Sequence, residues 1–393
     1  MPLKFVFFVL ATSLVFPLNA QLAEIPFELD DNGMITVQVK INDHPQAKTF
    51  VLDTGATADL LDTATAEELG LEADHQQEVA GAGGVKSYDI ILSQQLTLDT
   101  NITVNDTHLV LADLSQLRSR KPEKKMEGIL GYSLLKKYIT KIDYENQKIL
   151  FYDKIDTVDT LGFQKIPFEF GQGIPIPQFD IEIVLNNGVS YTDKVFLDSG
   201  AGLTLLINSP FNEKFQLAKQ AGNSLVNDSE NLHGTSTSES IALKSVILGD
   251  YQLNDLVISI AHDQAGVSSF ENYMGILGSK IISRFNVILD YTTSHVYLKP
   301  NNTFSRPFEF PLCGISLQQE QDKIVIAKIA KSSDAYRLGV RKGDLLIAID
   351  DDYSGELTTY KNLLKREGET VRLQIMDTEG VIKEIEIPLK RML

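Results

Sequence analysis

The sequence predicts a mainly β protein that contains one structural unit twice, followed by a small α+β domain. Apolar and polar residues alternate in segments such as MITVQVKI, from Met34, and FDIEIVL, from Phe179, as is typical of half-buried strands. An internal repeat extends over most of the chain, and a C-terminal segment does not share it. We therefore predict two β lobes at residues 21–160 and 161–300, and a third domain at 308–393.

The repeat is clearest at the end of each unit. GILGYSLLKKYITKIDYENQKILFY, from Gly128, aligns without a gap with GILGSKIISRFNVILDYTTSHVYLK, from Gly275. IPFEL at Ile25 likewise returns as IPFEF at Ile166. In both copies the segment after Ile-Leu-Gly predicts a short amphipathic helical turn and then a β-hairpin.

The net charge of the chain argues against one class of function, nucleic-acid binding. The net charge of -17 repels phosphate backbones and anionic lipid, so we do not expect nucleic-acid binding.

Residues 1–20 combine Lys4, an apolar run and the small Ala20, which predicts a secretory signal peptide, with a retained anchor as the alternative. No other stretch is long and apolar enough to cross a bilayer. The single cysteine, Cys313, cannot form an intrachain disulfide, so we expect an exported bacterial protein, periplasmic or secreted.

Two matching motifs suggest the chemistry. FVLDTGATADLL, from Phe50, and VFLDSGAGLTLL, from Val195, each place an aspartate, Asp53 or Asp198, after an apolar strand. Burial and a second carboxylate nearby both raise a carboxyl pKa, so a close pair shares one proton. One member can then activate water while the other donates a proton to a carbonyl, which is acid–base hydrolysis of a peptide bond.

The neighbours of the two aspartates suit this role. Gly55 and Gly200 allow the backbone to turn sharply, so that amide N–H groups can approach the carboxylates. The hydroxyl groups of Thr54 and Ser199 can tie the two loops together and hold the pair rigid.

On these residues, the segment from 21 to 300 resembles the pepsin/retropepsin family of aspartic proteases. The resemblance implies two tandem retropepsin-like lobes that form a pseudo-dimer within one chain. It also implies that Asp53 and Asp198 are the catalytic pair. The supporting residues carried over from the family are Thr54, Gly55, Ser199, Gly200, Ile129, Leu130, Gly131, Ile276, Leu277 and Gly278.

The resemblance has one departure and two uneven segments. The second motif continues as Ala201-Gly202 where the first has Ala56-Thr57, which removes a hydroxyl and predicts an asymmetric pair. VAGAGGVKSY, from Val79, and NLHGTSTSES, from Asn231, occupy the positions expected for substrate-covering hairpins, with ordinary mobile loops as the alternative. Tyr88 is only a candidate for a tyrosine on the first hairpin.

The C-terminal segment resembles a PDZ domain of the bacterial protease type. The matching features are Leu312-Cys313-Gly314-Ile315 and the pattern SDAYRLGVRKGDLLIAIDD, from Ser333. The resemblance implies a peptide-binding site in which Leu312, Cys313, Gly314 and Ile315 form the carboxylate-binding loop. An extended peptide, including a peptide C-terminus, would add to a sheet edge there. A domain used only for packing is the alternative.

We therefore expect an aspartic endopeptidase that cleaves protein or peptide substrates without a metal or organic cofactor. It should be a monomer whose PDZ domain docks substrates or regulates cleavage. The alternative is a non-catalytic peptide-binding or scaffold protein with a protease-like cleft. The sequence leaves open which aspartate holds the proton.

Overall fold

The computed structural model describes residues 21–393 except 31, 82–83, 116–124, 232–233 and 265. The predicted signal peptide, residues 1–20, lies outside the described residues, as do parts of the two predicted covering hairpins. Within the described ranges, no helix combines the length and apolar character needed to cross a membrane. We call residues 21–160 lobe 1, residues 161–300 lobe 2 and residues 308–393 the C-terminal domain.

The elements described in lobe 1 are strands β1 to β11, two α-helices and a short 3-10 helix. The strands are, in order, Gln21–Pro26, Glu28–Leu29, Ile35–Ile41, Lys48–Leu52, Asp59–Asp62, His75–Gly81, Gly84–Asp99, Ile102–Ala112, Gly128–Leu130, Ile139–Asp143 and Lys148–Tyr152. Helix α1 is Thr63–Glu68, α2 is Tyr132–Leu135, and the 3-10 helix is Ile155–Thr157. Eight strands form one sheet in the order β2-β3-β4-β9-β5-β8-β7-β6.

Lobe 2 contains strands β12 to β22, three α-helices and two 3-10 helices. The strands are, in order, Gln164–Pro167, Glu169–Phe170, Pro177–Leu185, Ser190–Asp198, Leu205–Ile207, Leu225–Asn231, Gly234–Leu248, Tyr251–Ala261, Gly275–Gly278, Phe285–Asp290 and His295–Pro300. Helices α3 to α5 are Ser209–Phe215, Leu217–Ala221 and Ser279–Ile282, and the 3-10 helices are Gly171–Gly173 and Val267–Ser269.

The two lobes share one topology. The sheet of lobe 2 has the order β13-β14-β15-β20-β16-β19-β18-β17, which repeats that of lobe 1 strand for strand. A third sheet joins the lobes in the order β1-β11-β10-β21-β22-β12, and Ile142 pairs with Val287 across the junction of β10 and β21. The prediction of a mainly β fold with two matching β lobes is therefore confirmed.

The strands follow from the alternation in the sequence. In β3, Ile35, Val37, Val39 and Ile41 are all buried, and the residues between them are more exposed. Burial of each such side chain favours folding by about 1.5–3 kcal/mol. One apolar cluster extends through both lobes, so the two sheets share a continuous core.

The C-terminal domain has its own sheet and core. Strands β23 to β27 are Ile315–Glu320, Lys323–Ile329, Leu345–Ile349, Thr370–Met376 and Ile382–Pro388, and they are joined in that order as an antiparallel sheet. Helix α6 is Asp334–Arg337 and α7 is Leu357–Leu363. The core includes Ile326, Tyr360 and Val371, each fully buried, and it is separate from that of the lobes. This α+β arrangement agrees with the one predicted from the sequence.

Candidate active site

Two interior strands bring the predicted aspartates to the junction between the lobes. Strand β4 ends one residue before Asp53, and β15 ends at Asp198. Each strand pairs in parallel with a supporting strand, β4 with β9 and β15 with β20. The amide of Asp53 donates to the carbonyl of Leu130 at 2.9 Å, which fixes the end of β4 against that support.

The hydroxyl groups after the two aspartates lock the loops to each other. Thr54 Oγ1 donates to the carbonyl of Leu197 at 2.6 Å, and Ser199 Oγ donates to the carbonyl of Leu52 at 2.9 Å. Each hydroxyl also accepts from the opposite amide: Ser199 N donates to Thr54 at 2.9 Å, and Thr54 N donates to Ser199 at 3.0 Å. Both side chains are buried, so water does not compete for these bonds.

The two carboxyl groups lie side by side across this interlock, each against the glycine of the opposite loop. The amide of Gly55 donates to Asp53 Oδ1 at 2.7 Å, and the amides of Gly200 and Ala201 donate to Asp198 Oδ1 at 3.0 and 2.8 Å. Only glycine fits at the two turns, because a Cβ atom on Gly55 would lie 2.6 Å from the carboxyl of Asp198. One on Gly200 would lie 2.3 Å from that of Asp53.

The pKa values of the two aspartates are raised to different extents. Burial raises the pKa of Asp53, while the hydrogen bond from Asp198 and those from nearby amides counteract the rise. Burial raises the pKa of Asp198 much further, and the charge of Asp53 adds to the effect. The two carboxyl groups therefore titrate as a pair that shares one proton, with the larger rise in pKa at Asp198.

The raised pKa of Asp198 predicts how stability depends on pH. Between the ordinary value of 3.8 and the raised one, the native state holds a proton that the unfolded state has released, so stability falls as pH rises through this window. Each unit of elevation corresponds to about 1.4 kcal/mol. Asp198→Asn lacks this proton, so urea unfolding from pH 3 to 8 should show the variant losing less stability than the wild type. A difference in unfolding free energy between the wild type and Asp198→Asn that stays constant with pH would contradict the raised pKa of Asp198.

The Ile-Leu-Gly segments support the loops as the sequence predicted. Ile129 pairs with Val51 in the sheet of lobe 1, and Leu277 pairs with Leu197 in that of lobe 2. A Cβ atom on Gly131 would lie 2.3 Å from the carbonyl oxygen of Ala56, and one on Gly278 would lie 2.3 Å from that of Leu203. Glycine is therefore required at both positions. The structure brings together all ten predicted supporting residues around the aspartate pair: Thr54, Gly55, Ile129, Leu130, Gly131, Ser199, Gly200, Ile276, Leu277 and Gly278.

One residue of the site was missed from the sequence. Asp59 is 1% exposed and accepts hydrogen bonds from Gly131 N at 3.1 Å, Thr107 Oγ1 at 2.8 Å and Ser133 Oγ at 2.5 Å. It thereby ties the first supporting segment to β5, and burial raises its pKa. The corresponding position in lobe 2 is Thr204, which donates to the carbonyl of Val257 instead. The available signal was an acidic residue opening the strand that follows the motif, where the repeat has Thr204.

Removing Asp59 should destabilise lobe 1. Asp59→Ala leaves the buried amide of Gly131 without an acceptor, which costs about 1–3 kcal/mol before the lost packing is counted. Asp59→Asn retains one acceptor and should cost less. Urea denaturation of both variants, with Asp180→Ala on the exposed face of β14 as the control, measures the difference. Equal stability of Asp59→Ala and the control would show that the buried carboxylate does not support this segment.

A small cavity adjoins Asp53. Its volume is about 90 Å³, and it is lined by Met34, Val51, Asp53, Met126, Ile129 and Gly200. The ring of Tyr88, on β7, packs against the cluster that contains Ile129.

The four predicted PDZ loop residues lie elsewhere. Leu312, Cys313, Gly314 and Ile315 belong to the C-terminal domain and line its groove, so the structure does not bring them to the aspartates. Gly314 has φ +69°, and a Cβ atom there would lie 2.8 Å from Ser333 Cβ, so glycine is required. In the described part of the chain, no cluster of three histidine, cysteine, aspartate or glutamate residues has a metal-binding arrangement.

One of three comparisons with known proteins bears on this chemistry. Residues 37–134 match the family model described as aspartyl protease, which covers the Asp53 motif and the first supporting segment. No curated protein sequence matches the chain significantly. Among solved structures, the aspartic proteinase from Irpex lacteus is similar, with 13% identity and a TM-score of 0.47 over 72% of this chain and 98% of that one. The family match indicates a protease function.

Proposed function

We propose that the protein is an aspartic-type endopeptidase whose catalytic residues are Asp53 and Asp198. The observation that carries the proposal is the adjacent, buried carboxyl pair, held between two loops by the reciprocal bonds of Thr54 and Ser199. Neither half of the pair would be positioned without the other lobe. A pair of this kind, with one charged and one protonated member, is suited to acid–base hydrolysis.

The proposed mechanism uses the unequal proton affinities of the pair. The carboxylate of Asp53 takes a proton from water as the water oxygen attacks the scissile carbonyl carbon, and Asp198 gives its proton to the carbonyl oxygen. A neutral tetrahedral diol results. When the C–N bond breaks, Asp53 passes its proton to the leaving nitrogen and Asp198 regains a proton from a diol hydroxyl. The pair therefore returns to its starting state without a covalent intermediate.

Both carboxyl groups must be in the correct state, so the proposal implies a bell-shaped pH profile. The purified chain from Gln21 onward, incubated with a diverse peptide mixture from pH 3 to 7.5, tests this directly. New termini read by mass spectrometry should appear within one pH window and fall away on both sides. An absence of cleavage across the whole range would favour the alternative, a peptide-binding or scaffold protein with a protease-like cleft.

The remaining parts of the proposal concern docking and location. The C-terminal domain is proposed to be a PDZ domain that docks substrates or regulates the lobes, supported by the open edge of β23 beside the loop at Leu312 to Ile315. The protein is proposed to be exported, to the periplasm or beyond, and to act as a monomer. The shared sheet of β10 and β21 supports the last point, because one chain already supplies both halves of the site.

A further inference from the structure

A groove at the C-terminal domain is shared by two parts of the molecule. Its volume is about 1260 Å³, and neither Asp53 nor Asp198 lines it. One wall is β23 with the loop before it, and another is the end of helix α7 with Leu364 and Lys365. A third wall comes from lobe 2, where Ser224, Leu225 and Val226 form the base of the β17–β18 hairpin. The groove is therefore not a property of the C-terminal domain alone.

The backbone on one side of this groove is open to a further strand. Strand β23 is at the edge of its sheet, and among the described strands it pairs only with β24. An edge strand presents N–H and C=O groups that an extended peptide can pair with. The floor is apolar: Leu312, Leu317 and Leu364 all line the groove and are buried. An occupant with apolar side chains facing inward would fit this floor.

The charge around the groove has the opposite sign from that of the chain. The groove is lined by six basic residues and one acidic residue, whereas the whole chain has 36 basic and 53 acidic residues. The acidic one, Glu309, already pairs with Lys365 at 2.5 Å. The basic residues are Lys328, Lys331, Arg341, Lys342, Lys361 and Lys365. In so acidic a protein, a local positive field selects an anionic ligand.

The wall from lobe 2 is fixed relative to the rest of the groove. Asn223 Nδ2 donates to the carbonyl of Met392 at 2.7 Å, and Met392 N donates to the carbonyl of Pro311 at 3.0 Å, beside the loop. Arg391 adds an ion pair of 2.7 Å with Asp255 of lobe 2. The C-terminal residues thus connect the loop of the groove to the residues just before β17. Val226 itself is 64% exposed and faces the groove as an apolar contact.

We propose that this composite groove binds an extended acidic peptide segment, which adds as a strand to β23 and touches Val226 of lobe 2. Alternate side chains of the segment would be apolar and meet the floor, and the others would be carboxylates that meet the lysines on the rim. The inference deepens the docking role proposed above by naming the chemistry of the ligand and the contribution of lobe 2. It is tested by binding, so it can fail or succeed independently of cleavage.

The test uses the chain from Gln21 onward with Asp53→Asn, which prevents cleavage of the probe. Fluorescence anisotropy compares two labelled peptides of equal length, one alternating valine with glutamate and one alternating valine with lysine. Several rim ion pairs together should favour the glutamate peptide by about tenfold or more. Its affinity should fall as salt is raised. Equal binding of the two peptides, or equally tight binding of a single-stranded oligonucleotide, would overturn the assignment.

Paired variants locate the site. The double variant Lys331→Glu/Lys342→Glu should weaken binding of the glutamate peptide about tenfold. Lys40→Glu, at an exposed position of β3 in lobe 1, should leave binding unchanged. Val226→Asp should also weaken it, and the matched Val189→Asp, at a position 41% exposed elsewhere in lobe 2, should not. Circular dichroism checks that each variant is folded. If Val226→Asp behaves like Val189→Asp, lobe 2 does not form part of the site.

Discussion

Asp53→Asn and Asp198→Asn are each expected to reduce kcat/KM for peptide cleavage by about 10²–10⁴-fold or more, because each removes one of the two proton transfers. Asp53→Asn removes the group that accepts a proton from water. Asp198→Asn removes the donor to the carbonyl oxygen, and the amide that replaces it can donate a hydrogen bond but cannot transfer a proton on demand. Initial rates on a peptide identified from the mixture, measured across the pH range, give both values.

The control for these variants is Asp180→Asn, an exposed carboxylate on β14 that lies outside the described site. It should cleave at the wild-type rate. Unfolding curves for all three variants separate a loss of chemistry from a loss of structure. Cleavage that continues at the wild-type rate in folded Asp53→Asn or Asp198→Asn would mean that another group is responsible.

Thr54→Val is expected to have the largest effect on stability. The hydroxyl of Thr54 donates to the carbonyl of Leu197 and accepts from the amide of Ser199, and valine of similar shape can do neither. Two buried backbone groups from lobe 2 would then be unsatisfied, at about 1–3 kcal/mol each. Because these bonds cross between the lobes, the free energy of unfolding and the geometry of the aspartate pair should decline together.

Thr54→Ser is the matched control, because it keeps the hydroxyl and removes only a methyl group. In chemical denaturation, the free energy of unfolding of Thr54→Ser should be close to that of the wild type. That of Thr54→Val should be several kcal/mol lower, because two buried backbone groups lose their partners. Ser199→Ala provides the mirror test, since Ser199 Oγ donates to the carbonyl of Leu52. Wild-type stability in both Thr54→Val and Ser199→Ala would mean that the interlock does not hold the lobes together.

Local patterns in the sequence were sufficient to predict the main architecture. Alternation placed β3 and β14, and the duplicated motif placed Asp53 and Asp198 at matching strand ends. Burial on one face of a strand is a short-range property, so the alternation in a single sequence reveals it directly. The predicted pairing of the two hydroxyls followed from the repeat, because two equal halves must meet at equal positions.

Long-range partners could not be predicted in the same way. The three donors to Asp59 come from segments far along the chain, and nothing near Asp59 specifies them. The junction of β10 with β21 and the wall that Val226 adds to the groove depend on how the lobes and the C-terminal domain are arranged. The proton affinities of the aspartates likewise depend on which amides surround each carboxyl in three dimensions.

The most direct measurement of the central claim is a double-mutant cycle on the aspartate pair. Single-turnover cleavage of one defined peptide would be followed for the wild type, for Asp53→Asn, for Asp198→Asn and for the double variant. Residues that act as one catalytic unit are strongly non-additive, so the double variant should be no slower than the slower single variant. Losses that multiply, or a single variant that retains most of the wild-type rate, would contradict a shared-proton pair at Asp53 and Asp198.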